Sequence, residues 1–530
     1  MIEVRNLLKK GTPFLWIMLL AGIVLSCSSP PRDQANQQSI QSVTPRSAKP
    51  VIVILIDSLM DEPLRKVMQQ GRAPALKHLY DNGRYFPQMV SSFPTMSVTI
   101  DSTFLTGTYT DHHHVPGLVW YSDKEKRMIF YGNGPKEALK INQPQVVMDA
   151  VYHLNQVQLN KRTKTIHEEL AEQGKESASI NAIVFRGKTE HSLRVPPMTA
   201  KGTSLPEQIK VTGPSLLSYA AFAQLDPKNN RNTQVWKKYG LNNTFTAQDL
   251  AFLIRHKKLP ALTIAYFPEN DMTVHRKGPA ETDGIVKADQ ALQEALNAFG
   301  SWDQAVKQAV WIVMGDSGQT TVLDDRQEAK IDLRPLLQPY RIAKLSEPVS
   351  KEDQVVIMPN ERMAYIYAID SNIGLPELVK KLQREDKLDI IARKAGQDIV
   401  VTAGNTTQAF SYRPEGKYID EYGQSWHIKG NSELVDLDIQ NKRIRYGKYP
   451  DVLARLYGAM HSHEGRYVVV TSKPGYELVS ESSPTHIGGA AHGSLHEKDS
   501  LVPLLVSGTD TRPKTLRIVD LKDWLLQLTK

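Results

Sequence analysis

Five stretches of the chain are apolar at nearly every position: 51–56 (VIVILI), 261–267, 309–314, 467–471 and 501–506. A strand that is apolar on both faces belongs in a parallel sheet covered by helices on each side; a half-exposed strand would alternate apolar with polar residues. The intervening stretches 61–82, 164–174, 246–257 and 285–307 read as helices. Strand alternating with helix predicts a doubly wound α/β fold with a mostly parallel sheet, whose functional residues sit at the carboxyl ends of the strands. The pattern is interrupted from about 326 to 445, where a helix (375–385) and strands (363–369, 398–402) alternate with polar, charged turns. We read this segment as an inserted α+β cap domain, leaving 49–325 and 446–530 as the main domain.

The first 48 residues follow another pattern. Arg5, Lys9 and Lys10 precede an apolar run of twelve residues, 14–25, too short to cross a hydrocarbon core of about 30 Å but the length of a signal-peptide core. Val24-Leu25-Ser26-Cys27 resembles the bacterial lipobox, in which the cysteine is lipidated and becomes the mature N-terminus. Residues 1–26 are therefore expected to be a lipoprotein signal peptide. Residues 27–48, rich in Ser, Gln and Pro, are expected to form a flexible tether. The expected location is the bacterial cell envelope, lipid-anchored to the membrane and outside the cytoplasm.

Composition narrows the class further. The chain has 530 residues, 41% of them hydrophobic and 23% charged, which excludes wholesale disorder and a fibrous repeat. Cys27 is its one cysteine, so no disulfide forms within the chain. The net charge is +8, or +6 once Glu3, Arg5, Lys9 and Lys10 leave with the signal, and it is spread along the sequence. No basic block marks a nucleic-acid-binding surface.

Three of the apolar runs lead into acids. Asp57 follows the first, Asp271 the second and Asp316 the third. A lone acid after a strand is usually a helix cap, but histidines accompany these. Asp271 and His275 lie four apart, on one helical turn, and offer O and N donors suited to Zn²⁺ or a similar ion. Gly315-Asp316-Ser317-Gly318 presents a carboxylate at a glycine-flanked turn, and Ala490-Ala-His492-Gly-Ser-Leu-His496 precedes the last strand. In Ser91-Ser-Phe-Pro-Thr95-Met-Ser97, a loop runs into a predicted helix that stops near Gly107. A hydroxyl there, on Thr95 or Ser97, is either a helix cap or a nucleophile set in the positive end of a helix, where an anion is favoured.

In order and spacing, the motifs ILID57S, FPTMS97…LTG107, Y266FPEND271MTVH275RKGP, VMGD316SG and AAH492GS…VPLLVSG resemble the alkaline phosphatase superfamily, and within it the type I phosphodiesterase/nucleotide pyrophosphatase branch. The resemblance implies an alkaline phosphatase-like fold and a metal-dependent hydrolase of phosphoric esters. It implies two divalent metal ions, Zn or Mn, and a serine nucleophile. Asp271, His275 and His492 would hold one ion; Asp57, Asp316 and the nucleophile would hold the other. Counting back from Gly107 in the family's frame places the nucleophile at Ser97, with Thr95 as runner-up. The His112-His113-His114 run is left out of the metal site.

The chain departs from that pattern at two places. Ser317 stands where the family has histidine, leaving oxygen donors at the second site and shifting preference towards Mn, Mg or Ca; His461, His463, His486 and His496 are candidate substitutes. Ile100 replaces a phosphate-contacting asparagine. The alternatives are therefore a phosphomonoesterase, or a non-catalytic metal-binding lipoprotein. The expected substrate is a phosphate-ester small molecule or an envelope phosphodiester. In the cap, Tyr412, Tyr418, Tyr422 and Trp426 are either core residues or a stacking surface for a base or sugar.

Overall fold

A computed structural model describes residues 48–132, 143–345 and 347–530. The leader, the lipidation residue Cys27 and the tether up to residue 47 lie outside them. The chain folds as α/β around a seven-stranded sheet. In chain order its strands are β1 (Val51–Ile56), β2 (Gly83–Val90), β3 (Ser177–Ile180), β4 (Leu216–Ser218), β5 (Leu262–Phe267), β6 (Val310–Gly315) and β7 (Leu501–Ser507); across the sheet they run β2-β7-β6-β1-β5-β3-β4. The sheet is mostly parallel, with β7 running against its neighbours β6 and β2.

The reason β1 is apolar throughout is visible in its packing. Val51, Val53 and Leu55 enter one hydrophobic core and Ile52, Ile54 and Ile56 the other, on the opposite face. β5 and β6 flank it in the same way, so these three strands are fully enclosed. The strands not anticipated from the sequence are β2, β3 and β4. β2 carries Pro87 and is largely exposed at the sheet margin, and β3 and β4 are four and three residues long. The helix expected over 61–82 is two, Asp61–Gln69 and Pro74–Asp81. Between them Gly71 takes a positive φ of 69°, and Pro74 begins the second helix.

Register decides where the functional loops go. Ile56 pairs with Phe267 on one side and Gly315 on the other, so the residues after all three strands emerge at the same edge. β2 ends there as well, its Val90 opposite Leu501 at the start of β7. It leads through 91–96 into helix α1 (Ser97–Thr106), and β5 leads into helix α2 (Glu269–Lys277).

A second, nine-stranded sheet is built from 355–446 together with Tyr467–Ser472. This corrects one sequence expectation. The run at 467–471 is not a strand of the parallel sheet; it pairs antiparallel with Met363–Ala368 and Leu388–Ala395. Its two faces are buried for the same reason as those of β1, since Tyr467 and Val469 enter one core and Val468 and Val470 another. The two sheets are tied by Arg362, which pairs with Asp499 just before β7; both side chains are fully buried. Arg362→Leu strands that carboxylate in the interior and is expected to destabilise the protein by about 3–5 kcal/mol, read as a lower midpoint in chemical denaturation.

Candidate metal and nucleophile site

Asp57 and Asp316 follow β1 and β6 directly and are both buried. One oxygen of each is satisfied. Tyr266 donates its hydroxyl to Asp57 Oδ2, and Asp316 Oδ1 accepts from the backbone N–H of Ser58 at 2.8 Å and of Ser317 at 2.7 Å. The other oxygens, Asp57 Oδ1 and Asp316 Oδ2, are buried with no hydrogen-bond partner. Burial first, then the charges of Asp316 and Asp271, push the Asp57 carboxyl well above its ordinary range, and burial raises Asp316 too. Buried carboxylate oxygens without donors call for a proton, a water or a cation, and two of them side by side after adjacent strands suit a cation. The donor set is hard oxygen, as the absence of histidine at 317 anticipates. Ser317 Oγ instead lies 3.2 Å from Ser58 Oγ, and Ser58 Oγ donates to Asp271 Oδ1 at 2.9 Å.

The second group sits beside the first. On α2, Asp271 and His275 face each other across one turn, with His275 Nε2 3.1 Å from Asp271 Oδ1. His492 arrives from the turn before β7, its Nε2 3.6 Å from the same oxygen. Both imidazoles are held in one orientation: His275 donates from Nδ1 to the Ala490 carbonyl at 2.8 Å, and His492 donates from Nδ1 to the Thr95 carbonyl. Each therefore points Nε2 inward, as metal-ligating histidines do. Burial would lower both imidazoles, but Asp271 and Glu361 outweigh it and raise His275 to about 9 and His492 to about 10. The carboxylates that attract those protons would attract a divalent cation in their place, with the protons released on binding.

Ser97 and Thr95, the two hydroxyl candidates, differ in exposure. Thr95 is fully buried and its Oγ1 accepts from the Gly493 N–H at 2.7 Å. Ser97 is the first residue of α1, partly exposed, and its hydroxyl makes no hydrogen bond with the described residues. The ten-residue helix gives its free N–H groups to that end. Of the spare histidines, His486 stacks on His275 with ring centroids 4.1 Å apart, beside the His275 group rather than Ser317. His461 and His463 bond to Tyr457 O and Tyr367 Oη, and His496 accepts from Lys498 N. Within the 112–114 run, His113 is buried between Thr103 Oγ1 and Val115 N and burial lowers it to about 3, the mark of a core histidine. In the inserted segment, Tyr412 and Trp426 belong to the hydrophobic core, and Trp426 Nε1 donates to Asp420.

Three residues near the acids escaped sequence reasoning. Gln319 donates to Ser58 Oγ at 2.9 Å and Asp271 Oδ1 at 2.7 Å; with Ser58 and Ser317 it makes a neutral polar link between the two carboxylate groups. Glu361 comes from a turn of the second sheet and accepts from His492 N at 3.0 Å. None lay in a metal-ligand spacing; Ser58 closes one quoted motif and Gln319 lies one residue past another, which was the only signal.

A sequence model of the type I phosphodiesterase/nucleotide pyrophosphatase family matches residues 51–495. No curated protein matches the chain by sequence. Among solved structures, murine ectonucleotide pyrophosphatase/phosphodiesterase 5 superposes with a TM-score of 0.51 at 14% identity, covering 91% of this chain and 95% of that one. An inactive variant of the murine protein in complex with AMP gives the same values. The human counterpart gives 0.53 at 12% identity with the same coverage.

The close approach of the His492 turn to the second sheet depends on Gly493, whose φ is +117° and whose added Cβ would sit 2.5 Å from the Asn360 carbonyl oxygen. Gly493→Ala must shift the turn. The expected result is Zn²⁺ affinity roughly tenfold or more weaker, measured by isothermal titration on protein whose circular dichroism is unchanged.

Proposed function

The chain belongs to the type I phosphodiesterase/nucleotide pyrophosphatase family of the alkaline phosphatase superfamily and is a phosphoric ester hydrolase; from that premise we propose that it is a membrane-tethered, exported phosphodiesterase using Ser97 as nucleophile and two divalent cations. The observation that carries the reading is the pair of unpartnered buried oxygens on Asp57 and Asp316 beside the Asp271–His275–His492 group. Asp271, His275 and His492 would hold one ion, Zn or Mn. Asp57, Asp316 and Ser97 would hold the other, with Mn, Mg or Ca favoured over Zn because Ser317 brings no imidazole. When bound, such ions lower the pKa of a coordinated hydroxyl and offset negative charge on the phosphate and the leaving oxygen.

The chain's own residues do the rest. The N-terminus of α1 directs its N–H groups at an incoming phosphate. Ser97 releases its hydroxyl proton to solvent and its Oγ attacks phosphorus; the ester oxygen leaves with the electron pair of the broken P–O bond and takes a proton from solvent. Water then cleaves the phosphoseryl ester and restores the serine proton. Tyr266, Ser58 and the backbone N–H of Ser317 hold Asp57 and Asp316 by one oxygen each, keeping the free oxygens turned to the ion. The partner is a phosphate-ester or nucleotide-like small molecule, or a phosphodiester of the envelope. A monoesterase reading is favoured by Ile100, which replaces the diesterase asparagine and is itself buried. The inserted segment 326–445 serves as the cap that selects substrate.

With Mn²⁺ or Zn²⁺ the purified protein is expected to hydrolyse bis-p-nitrophenyl phosphate faster than p-nitrophenyl phosphate; the reverse ratio favours the monoesterase. Ser97→Ala is expected to lower kcat by about a thousandfold or more, whereas Thr95→Ala keeps the nucleophile; near-normal turnover by the Ser97 variant would exclude that residue. For the anchor, Cys27→Ala expressed in a bacterium is expected to move the protein from the detergent phase to the aqueous phase on Triton X-114 partition.

A further inference from the structure

The second sheet contributes one carboxylate to the histidine group, and nothing in the family's pattern of motifs supplies it. Glu361 occupies the two-residue turn between Val355–Asn360 and Met363–Ala368, where Asn360 pairs with Met363. It is 8% exposed and has a φ of +58°, which a two-residue hairpin turn requires at its first central position. Two hydrogen bonds hold the turn against the His492 segment. Arg362 N donates to the His492 carbonyl at 2.9 Å, His492 N returns a bond to Glu361 Oε2 at 3.0 Å, and the neighbouring Arg362 side chain is spent on Asp499. The Glu361 carboxylate thus faces imidazoles, not a guanidinium or an ammonium: Oε1 lies 3.7 Å from His275 Nε2 and Oε2 lies 3.9 Å from His492 Nε2.

Together with the 3.1 and 3.6 Å separations of Asp271 Oδ1 from the same two nitrogens, these distances set the Glu361 carboxylate, one oxygen per imidazole, beside the two nitrogens that Asp271 also faces. Tetrahedral ligands at metal bonds of about 2.0–2.2 Å lie roughly 3.3–3.6 Å from one another; Asp271, His275 and His492 already form a compact set, and a reorientation of the Glu361 side chain that brings one oxygen towards both nitrogens would complete it. We propose that Glu361 is a fourth protein ligand of the ion held by Asp271, His275 and His492, so that the second sheet is latched to the catalytic sheet through the metal. This rests on the metal-site reading above. Two carboxylates balance the charge of a divalent cation. A competing set, His275, Glu361 and His486, shares two of the residues; His486 is engaged through Nδ1 by Glu477 at 3.2 Å.

The test is Zn²⁺ affinity of the metal-stripped full chain, measured by competition with a chromophoric chelator and independent of any substrate. Glu361→Gln keeps an acceptor for His492 N and is expected to weaken the tighter site by about 10–100-fold. Glu361→Asp, which restores the charge on a shorter arm, is expected to recover part of the loss and so separate ligation from damage to the turn. His492→Ala is expected to abolish the site, and His486→Ala to leave it within twofold of wild type. Wild-type affinity in Glu361→Gln beside loss in His492→Ala would refute the fourth ligand while leaving the three-residue site intact. A loss in His486→Ala equal to that in Glu361→Gln also overturns the proposal, because it moves the ion to the competing set. No tight site in the wild type overturns this inference and the metal reading together.

Discussion

Negative charge crowded into a largely enclosed space is the condition on which this structure depends. Buried Asp57 and Asp316 meet partly buried Asp271 at one edge of the sheet, with two oxygens lacking any donor among the described residues. Like charges so close, in poorly hydrated surroundings, repel by several kcal/mol, on the order of 4 kcal/mol per pair at contact. The crowding is imposed by β-sheet register: β1 is hydrogen-bonded to β5 and β6 over six residues each, so their following residues have nowhere else to emerge. Everything around that edge either relieves the charge or holds it in place. Tyr266, the N–H groups of Ser58 and Ser317, and the two inward-pointing imidazoles are all donors aimed at carboxylates.

Ser317 takes part in the contact between the two carboxylate groups. Ser58, Ser317 and Gln319 form a neutral link from the Asp316 turn to Asp271. The site is thus divided into a nitrogen-rich half around His275 and His492 and an oxygen-only half around Asp57 and Asp316. That division has chemical content, because soft and borderline donors and hard donors select different cations. The nitrogen-rich half is also the half the second sheet touches, through Glu361, through the backbone of Arg362 and through the Gly493 contact with Asn360. A segment that interrupts the main domain in sequence is therefore in direct contact with its chemical centre.

How much of this was legible beforehand differs residue by residue. The strands β1, β5 and β6 and the acids after them could be read from local pattern, because burial on both faces demands an apolar run and each acid is its immediate neighbour in the chain. The run at 467–471 carried the same pattern and was assigned to the wrong sheet. An apolar run reports that both faces are covered, not by which core. Glu361 gave no local signal at all: its partner His492 is 131 residues away, and a lone acid in a charged turn is what any solvated loop contains.

The sequence by itself determined the α/β alternation, the family and the set of acids and histidines, since these follow from short-range periodicity and from motifs only a few residues long. Tertiary structure alone decided which of those groups meet. Parallel register collected three acids, one of them from a strand more than two hundred residues before the other two. Backbone carbonyls of Thr95 and Ala490 chose the nitrogen each histidine presents, and the packing of one sheet turn against another brought Glu361 in beside them. Those outcomes depend on long-range hydrogen bonding and close packing, which no local window of residues records.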